Sequence, residues 1–317
     1  MKYLSRRNFL KSSIVSAFGA CSVLAGQELS AAVPRPHLEF PVVPRERLAV
    51  TTWPFRMYME SSANRWRDPK LPGMDLKEFP AMVASKFGLH NVELLAAHFP
   101  SVEKGYLRGL RAAVEKAGSH IIDIPVGATA SFYDPDESKR REAIDYGKKW
   151  IDIAAAAGSP SVRLHIAGVT GVAPDADRTA ESLKQVADYG AQRNVIVTLE
   201  NDDLVTEDAF FIVRVLDKVQ NPYLRALPDF ANSMLSGDPE FNYDALALMF
   251  RHAYNISHMK DSEVGEGGRV YTVDVERIFR IAEAAGYRGY FSLEWEGRGG
   301  AYEGTSRLLT ESLKYLA

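Results

Sequence analysis

Cysteine is almost absent from the sequence, since Cys21 is the only one among 317 residues. Cys21 lies in an N-terminal segment that we expect to be removed, so the remaining chain would contain no disulfide and no thiolate for catalysis or zinc binding. An excess of basic residues is also missing, because 38 lysines and arginines stand against 41 aspartates and glutamates, a formal net charge of -3. This balance is not that of a nucleic-acid-binding protein, and we expect no nucleic-acid partner.

The first 32 residues have the composition of an export signal. Residues 5–11 (SRRNFLK) are basic, an apolar run follows from Ile14 to Ala25, and residues 30–32 offer small side chains for cleavage. The paired arginines resemble a twin-arginine signal. The alternative, a membrane anchor, is disfavoured because the run is shorter than the ~20 residues of a membrane span. We therefore expect a periplasmic or extracellular protein, with no stable membrane span after signal removal.

A lipid anchor on Cys21 is a further alternative for this segment. Phe18–Cys21 faintly resembles a lipobox, but apolar residues continue beyond Cys21 and Phe18 is a poor first residue. We do not expect a lipoprotein.

From residue 48 onward, short apolar runs alternate with longer amphipathic stretches, after a proline-rich, extended lead-in at residues 33–47. The apolar runs are rich in Val, Ile, Leu and Phe, which is typical of buried parallel strands: Leu48–Phe55, Asn91–Ala97, His120–Val126, Ser161–Ile166, Val195–Glu200, Leu224–Asp229, Asn255–His258 and Gly289–Glu294. The amphipathic stretches predict helices: Asp75–Phe87, Glu103–Ala117, Asp136–Ala157, Ala176–Arg193, Thr206–Val219, Asn242–Arg251, Val275–Ala285 and Glu303–Leu316.

This alternation of strand and helix, repeated about eight times, predicts an α/β fold with a single (β/α)8 TIM barrel over residues 48–317. An open, doubly wound sheet is the alternative, because periodicity does not encode the closing of a barrel. No long linker interrupts the series, so we predict one domain.

Four polar residues close consecutive predicted strands in the second half of the chain: Glu200, Asp229, His258 and Glu294. They are separated by 29, 29 and 36 residues, the length of one βα unit. Since function in such barrels gathers at the carboxyl ends of the strands, we expect these side chains to meet at one rim.

Three converging carboxylates repel one another unless a cation lies between them. Oxygen ligands with one imidazole and no sulfur favour Mn²⁺, Mg²⁺ or Co²⁺, with Zn²⁺ as a further option. A single strand-end acid more often caps a helix or pairs with a lysine. Four such residues in consecutive units predict a divalent metal site.

The sequence around these residues resembles the xylose isomerase-like TIM barrels, a family of sugar phosphate isomerases and epimerases. The matching segments are Thr-Leu-Glu-Asn at Glu200, Pro-Asp-Phe-Ala-Asn at Asp229, Ser-His-Met-Lys-Asp at His258 and Ser-Leu-Glu-Trp-Glu-Gly at Glu294. The resemblance implies that all four residues bind the metal and that Glu200 and Glu294 transfer protons on opposite faces of the substrate. It leaves the substrate open, and Asn232 stands where the ketose epimerases often have a histidine.

The chemistry explains why a base and a metal ligand coincide in this family. A metal that chelates a carbonyl and the neighbouring hydroxyl acidifies the α-C–H and stabilises the enediolate. A carboxylate beside the substrate removes this proton, and a second one returns it elsewhere. Asn232 is kept as a candidate substrate contact.

Two further strands carry candidate polar residues. Arg163 and His165 share an inward-facing parity, so Arg163 is predicted to orient a polar substrate and His165 to donate a proton, unless the two form a structural pair in the core. Lys260 has the parity of His258 and is predicted to stabilise an oxyanion. Its alternative is an ion pair with Asp261, Glu296 or another acid of the rim.

Other candidates for substrate contact lie near the same rim. Glu93 ends the second predicted strand and is expected to contact substrate or a metal-bound water, or else to form a structural salt bridge. Glu296 shares the face of Glu294, and Trp53 is an aromatic residue that stacks on a sugar ring or packs in the loops. The glycine-rich segments 265–269 and 297–300 are expected to be mobile lids, with anion binding as the alternative.

The leading functional hypothesis is a metal-dependent isomerase or epimerase of a sugar or keto-sugar. The alternatives are a metal-dependent lyase or hydrolase of 3-keto-glycosides, a nuclease resembling AP endonucleases, and a non-catalytic sugar-binding barrel. The first would release an aglycone, the second would cleave abasic DNA, and the third would bind sugar without metal. A small carbohydrate is the expected partner, and the sequence leaves the oligomeric state open, a homo-oligomer included.

Overall fold

The computed structural model describes residues 34–297 and 300–316. The predicted signal at residues 1–32 and part of the second glycine-rich segment lie outside the described residues, so those expectations remain predictions. Within the described ranges, no helix has both the length and the apolar character needed to cross a membrane.

Eight parallel strands form a barrel, and the helices that alternate with them pack around it. The barrel strands are β1 (Leu48–Thr51), β2 (Asn91–Glu93), β3 (His120–Val126), β4 (Ser161–Leu164), β5 (Ile196–Glu200), β6 (Leu224–Leu227), β7 (Ile256–Met259) and β10 (Tyr290–Leu293). The helices are α1 (Phe79–Phe87), α2 (Lys104–Lys116), α3 (Glu137–Ala157), α4 (Ala176–Arg193), α5 (Ala209–Val219), α6 (Pro239–Phe250), α7 (Val275–Ala284) and α8 (Ala301–Tyr315).

The hydrogen-bonded order of the barrel strands is β6-β5-β4-β3-β2-β1-β10-β7. The two ends of this order, β6 and β7, meet at isolated parallel bridges that pair Ala226 with Ala253 and Asp229 with His258. At this seam the His258 amide donates to the Pro228 carbonyl at 3.0 Å. The sheet is therefore nearly closed, and the predicted (β/α)8 barrel is confirmed over the open-sheet alternative.

Glycines permit two local features of this packing. Gly88 ends α1 with φ of +62°, a left-handed conformation that costs glycine little. Gly190 lies in α4 where a Cβ atom would come within 2.5 Å of the Val195 carbonyl oxygen. A larger residue at position 190 would therefore push α4 away from the start of β5.

Several predicted elements extend too far in sequence. The first two strands stop at Thr51 and Glu93, and a 3-10 turn at Ala96–His98 follows the second. Helix α1 begins at Phe79 instead of Asp75, because Pro80 has no amide hydrogen to donate to an earlier turn and therefore fits only the first turn of a helix. Helix α5 begins at Ala209, three residues later than predicted.

Two further differences from the predicted elements are the start of α6 and a hairpin that follows β7. Helix α6 begins earlier than predicted, at Pro239, behind the capping side chain of Asp238. The first glycine-rich segment, predicted to be a mobile lid, forms the turn of the antiparallel hairpin of β8 (Ser262–Val264) and β9 (Val270–Thr272). In the lead-in, the Leu38 amide donates to the Tyr254 hydroxyl at 3.1 Å, which attaches this segment to the barrel.

Candidate active site

Four strand ends bring together the residues that we call the rim cluster: Glu200, Asp229, His258 and Glu294. Their ligand atoms all lie within 4.8 Å of one another. Glu200 ends β5, and His258 lies within β7. Glu294 directly follows β10, and Asp229 follows β6 after one intervening residue. The four side chains are buried, with at most 7% of the residue surface exposed. The structure thus gathers all four residues that the sequence predicts as ligands.

Backbone amides fix one carboxylate oxygen of Asp229 by hydrogen bonds but do not bind the other. Oδ1 accepts from the amides of Ala231 and Asn232 at 2.9 and 2.7 Å. The Asn201 side chain accepts from the Asp229 amide at 2.7 Å. Oδ2 is buried and has no hydrogen-bond partner among the described residues, with Lys260 Nζ 3.4 Å away, so this oxygen remains available to a ligated cation.

His258 directs one ring nitrogen at the three carboxylates of the rim cluster. Its Nδ1 lies 2.8 Å from Glu200 Oε1, 3.2 Å from Glu294 Oε2 and 3.8 Å from Asp229 Oδ2. Burial disfavours the charged imidazole, but the carboxylates of Glu294, Glu93 and Glu200 outweigh it and raise the pKa of His258 well above its ordinary value. The carboxylates around Nδ1 therefore form a strongly cation-attracting position.

Lys260 adds a buried cation next to the rim cluster. Its Nζ lies 3.0 Å from Glu263 and from Glu296, 3.2 Å from Glu294 and 3.4 Å from Asp229. Burial opposes its charge, yet the charges of Asp229 and Glu294 raise the pKa of Lys260 well above the ordinary lysine value. Of the two acids named as alternative partners, Lys260 contacts Glu296. Asp261 pairs instead with Arg307.

Burial and the neighbouring carboxylates act differently on the acids of the rim cluster. Burial, together with the charges of Glu200 and Glu294, raises the pKa of Asp229 to about 8. For Glu294, burial is outweighed by His258 and Lys260, which lower its pKa to about 2. Glu200 is likewise held ionised, because His258 and Arg163 lower its pKa against the effect of burial.

Arg163 and His165 lie together on the Glu200 side of the site. Arg163 Nε is 3.1 Å from Glu200 Oε2, and its Nη1 also contacts the His165 Nε2 atom. The other nitrogen of His165, Nδ1, lies 2.8 Å from Glu207 Oε2, while Asp202 is 3.6 Å away. Sequence reasoning missed Glu207 because this residue was assigned to a helix. It lies instead in the preceding loop, and its Oε1 accepts from the Ile166 amide.

A cavity of about 370 Å³ opens above these residues. Glu200, Glu294, Arg163, His165, Lys260, Asn232, Glu296 and Trp53 all line it, as do Asp202 and Glu263, which the sequence did not single out. Asn232 Oδ1 accepts from Lys260 at 2.9 Å. The run of acids after Glu200 would have been the available sequence signal for Asp202.

Two tryptophans form one wall of the cavity. The rings of Trp53 and Trp66 meet edge to face with centroids 4.9 Å apart, and Arg65 lies over Trp66 at 4.5 Å. The Trp53 indole donates to Glu296 Oε1 at 2.8 Å. This wall offers an aromatic surface with polar groups beside it, as sites for sugar rings do.

Glu93 lies outside the lining of the cavity. The residue is fully buried, and its Oε1 lies 2.8 Å from His258 Nε2. Its second oxygen accepts from the Ser292 hydroxyl at 2.6 Å. The salt-bridge alternative describes this arrangement, with His258 as the partner.

The rim cluster fits a divalent cation on the chemistry of its donors. It offers three carboxylates and one imidazole, includes the unpartnered Asp229 Oδ2, and opens to a cavity. Such a set suits Mn²⁺, Mg²⁺ and Co²⁺, and Zn²⁺ also accepts it. The fold and the site together define a (β/α)8 barrel with a cluster of potential metal ligands at the carboxyl ends of its strands.

The chain belongs to the xylose isomerase-like TIM barrel family, whose model matches residues 82–317. A comparison with curated proteins finds no match.

Solved structures share the fold. D-psicose 3-epimerase from Clostridium cellulolyticum H10, described with D-tagatose, is 15% identical with a TM-score of 0.67, over 85% of this chain and 99% of that one. The 3-keto-D-glucoside 4-epimerase of E. coli is 14% identical with a TM-score of 0.59, over 85% and 98%. A xylose isomerase-like barrel from Mycobacterium smegmatis in complex with magnesium is 18% identical with a TM-score of 0.60, over 85% and 97%.

Proposed function

We propose that this protein is a divalent-metal-dependent isomerase or epimerase of an uncharged sugar or keto-sugar. The observation that carries the proposal is the placement of Glu200 and Glu294. They come from strands that flank the two strands carrying Asp229 and His258, both line the cavity, and each has its own cation, Arg163 or Lys260. A two-base proton transfer requires one carboxylate on each side of the reacting carbon, one to remove a proton and the other to return one, and Glu200 and Glu294 lie on either side of one cation-attracting centre.

Each residue then has a distinct part in the reaction. A cation held by the rim cluster would polarise a substrate carbonyl and make the adjacent C–H acidic. Glu294 removes that proton. Glu200, which is ionised before the reaction, first takes a proton from solvent and then donates it to the other face of the sugar, or the two glutamates act in the reverse order. Lys260, already within 3.2 Å of Glu294, places positive charge where a substrate oxygen becomes negative.

The charge pattern of the cavity favours a substrate without a phosphate group. Lys260 is surrounded by four carboxylates, and Arg163 is paired with Glu200. These cations are therefore committed to acids of the protein, whereas phosphate recognition uses cations and amides aimed at the ligand. The export signal expected from residues 5–11 agrees with an uncharged extracellular or periplasmic sugar.

A lyase or hydrolase acting on 3-keto-glycosides is the second candidate. His165 lines the cavity, and its Nδ1 contact with Glu207 leaves the other end of the ring on the side of Arg163 and Glu200. In this arrangement Nε2 accepts from Arg163, so the ring must part from Arg163 and gain a proton before it protonates a leaving oxygen after α-deprotonation. The likeness to the 3-keto-D-glucoside 4-epimerase supports the same substrate class. Release of an aglycone would distinguish this reaction from epimerisation.

The decisive experiment measures exchange of substrate protons with solvent. Wild-type protein loaded with Mn²⁺ is incubated in D2O with D-psicose, D-tagatose and a 3-keto-D-glucoside, and NMR follows deuterium at the carbon next to the carbonyl. We expect exchange with at least one of them, and a loss of about 10²- to 10⁴-fold in Glu294→Gln, which removes the base. Glu266→Gln, an exposed glutamate on the hairpin turn, is the matched control. Full turnover in Glu294→Gln would refute the assigned role.

A further inference from the structure

Glu93 holds the face of His258 that points away from the rim cluster. Its Oε1 lies 2.8 Å from His258 Nε2, and its Oε2 accepts from the Ser292 hydroxyl at 2.6 Å. All three residues are fully buried. The carboxylate is therefore fixed by β10 on one side while it contacts β7 on the other.

The two nitrogens of His258 consequently have separate partners. Nδ1 faces Glu200, Glu294 and Asp229, whereas Nε2 faces Glu93. An imidazole binds a metal through an unprotonated nitrogen, so a ligand that uses Nδ1 must carry its proton on Nε2. Glu93 is the acceptor that stabilises this tautomer and fixes the orientation of the ring.

We infer that Glu93 is a positioning residue of the metal site, one that acts through His258 and touches neither metal nor substrate. The inference rests on the proposed metal site. Its basis is geometric: Glu93 is fully buried beneath the cavity, and its two oxygens are occupied by the imidazole and by Ser292. Removing its charge should weaken metal binding without opening the cavity.

The chain supplies a matched control for Glu93. Asp123 pairs with Glu93 in the register of β2 and β3 and is equally buried, but its carboxylate contacts Ser161, not His258. A change at Asp123 therefore alters the same part of the barrel interior without touching a ligand of the metal.

The test compares Mn²⁺ binding by calorimetry in wild type, Glu93→Gln and Asp123→Asn, with the visible spectrum of the Co²⁺-loaded proteins as a second readout. We expect Glu93→Gln to bind Mn²⁺ about 10- to 100-fold more weakly. Its Co²⁺ spectrum should shift, and Asp123→Asn should match wild type in both. Glu93→Asp, which restores the charge on a shorter side chain, should recover part of the affinity.

Other outcomes would overturn the inference. Wild-type affinity and an unchanged Co²⁺ spectrum in Glu93→Gln would show that Glu93 has no positioning role, while leaving the metal site intact. If wild type itself did not bind Mn²⁺, the proposed metal site would fail together with the inference. Should Glu93→Gln not fold, Ser292→Ala removes only the second support of the carboxylate. A smaller loss of affinity in the same direction would support the inference, and unchanged affinity would contradict it.

Discussion

Two groups of acids occupy the same barrel and differ in what surrounds them. The rim cluster faces a cavity and has Arg163 and Lys260 at its edges. Below it, Glu93 and Asp123 form what we call the buried pair, adjacent in register on β2 and β3 and fully enclosed. His258 lies between the two groups, with one nitrogen toward each.

The difference shows how surroundings decide what a carboxylate does. In the rim cluster, Glu200 and Glu294 line the cavity, so a cation can reach the carboxylates. In the buried pair, the Ser292 hydroxyl donates to Glu93 and the Ser161 hydroxyl contacts Asp123 Oδ1, and neither acid lines the cavity. The two groups share one feature: burial and neighbouring carboxylates raise the pKa of Asp123 to about 8, as they do for Asp229 in the rim cluster.

Removing a ligand from the rim cluster is the strongest way to test this comparison. Asp229→Ala should weaken Mn²⁺ binding by more than about 100-fold, since it deletes a direct ligand, not a supporting group. Calorimetric titration of the metal-free protein provides the measurement. Asp261→Ala is the control, because this nearby rim acid pairs with Arg307 instead. Equal losses of Mn²⁺ affinity in the two variants would mean that affinity depends on the number of negative charges near the site and not on ligation by Asp229.

We expect Asp123, in the buried pair, to affect the free energy of unfolding and not the affinity for metal. Asp123 has a folded-state pKa near 8 against an ordinary value of 3.8. Its contribution to the free energy of unfolding is therefore complete below about pH 3.8 and is lost as the pH rises to about 8. Asparagine cannot ionise, so Asp123→Asn should gain stability relative to wild type as the pH increases across this window. Urea unfolding of both metal-free proteins between pH 5 and 8 measures the difference. Parallel curves would contradict the assignment.

The smallest expected effect concerns the acid beside the rim cluster. Glu296→Gln should leave Mn²⁺ affinity almost unchanged, because Glu296 contacts Lys260 and the Trp53 indole and is outside the ligand set. Substrate KM should rise if this side chain positions a sugar at the tryptophan wall. A large loss of metal affinity would instead place Glu296 among the ligands.

The sequence was most informative in the second half of the barrel. There each predicted ligand stands at the end of an apolar run, and parallel strands deliver such residues to the same rim. The contact between Glu93 and His258 could not be predicted, because it spans 165 residues and depends on closure of the sheet. Glu207 was missed for another reason: its loop follows β5 with no periodic pattern, and the helix begins only at Ala209.

Asp123 could be predicted in part from the sequence. An acid inside the apolar strand β3 is a visible exception in the sequence, but the pattern does not identify its partner. The hairpin after β7 was likewise obscured by glycines at its turn, where Gly267 and Gly268 have positive φ.

The meeting of β6 and β7, where the barrel closes, involves two residues of the rim cluster. Asp229 and His258 are at once potential ligands and the residues whose backbone bridge joins the first and last strands of the sheet. A cation bound by both side chains would link β6 and β7, which are otherwise joined by isolated bridges. Metal binding and closure of the sheet would then be coupled, and removal of the metal would loosen the barrel first between β6 and β7.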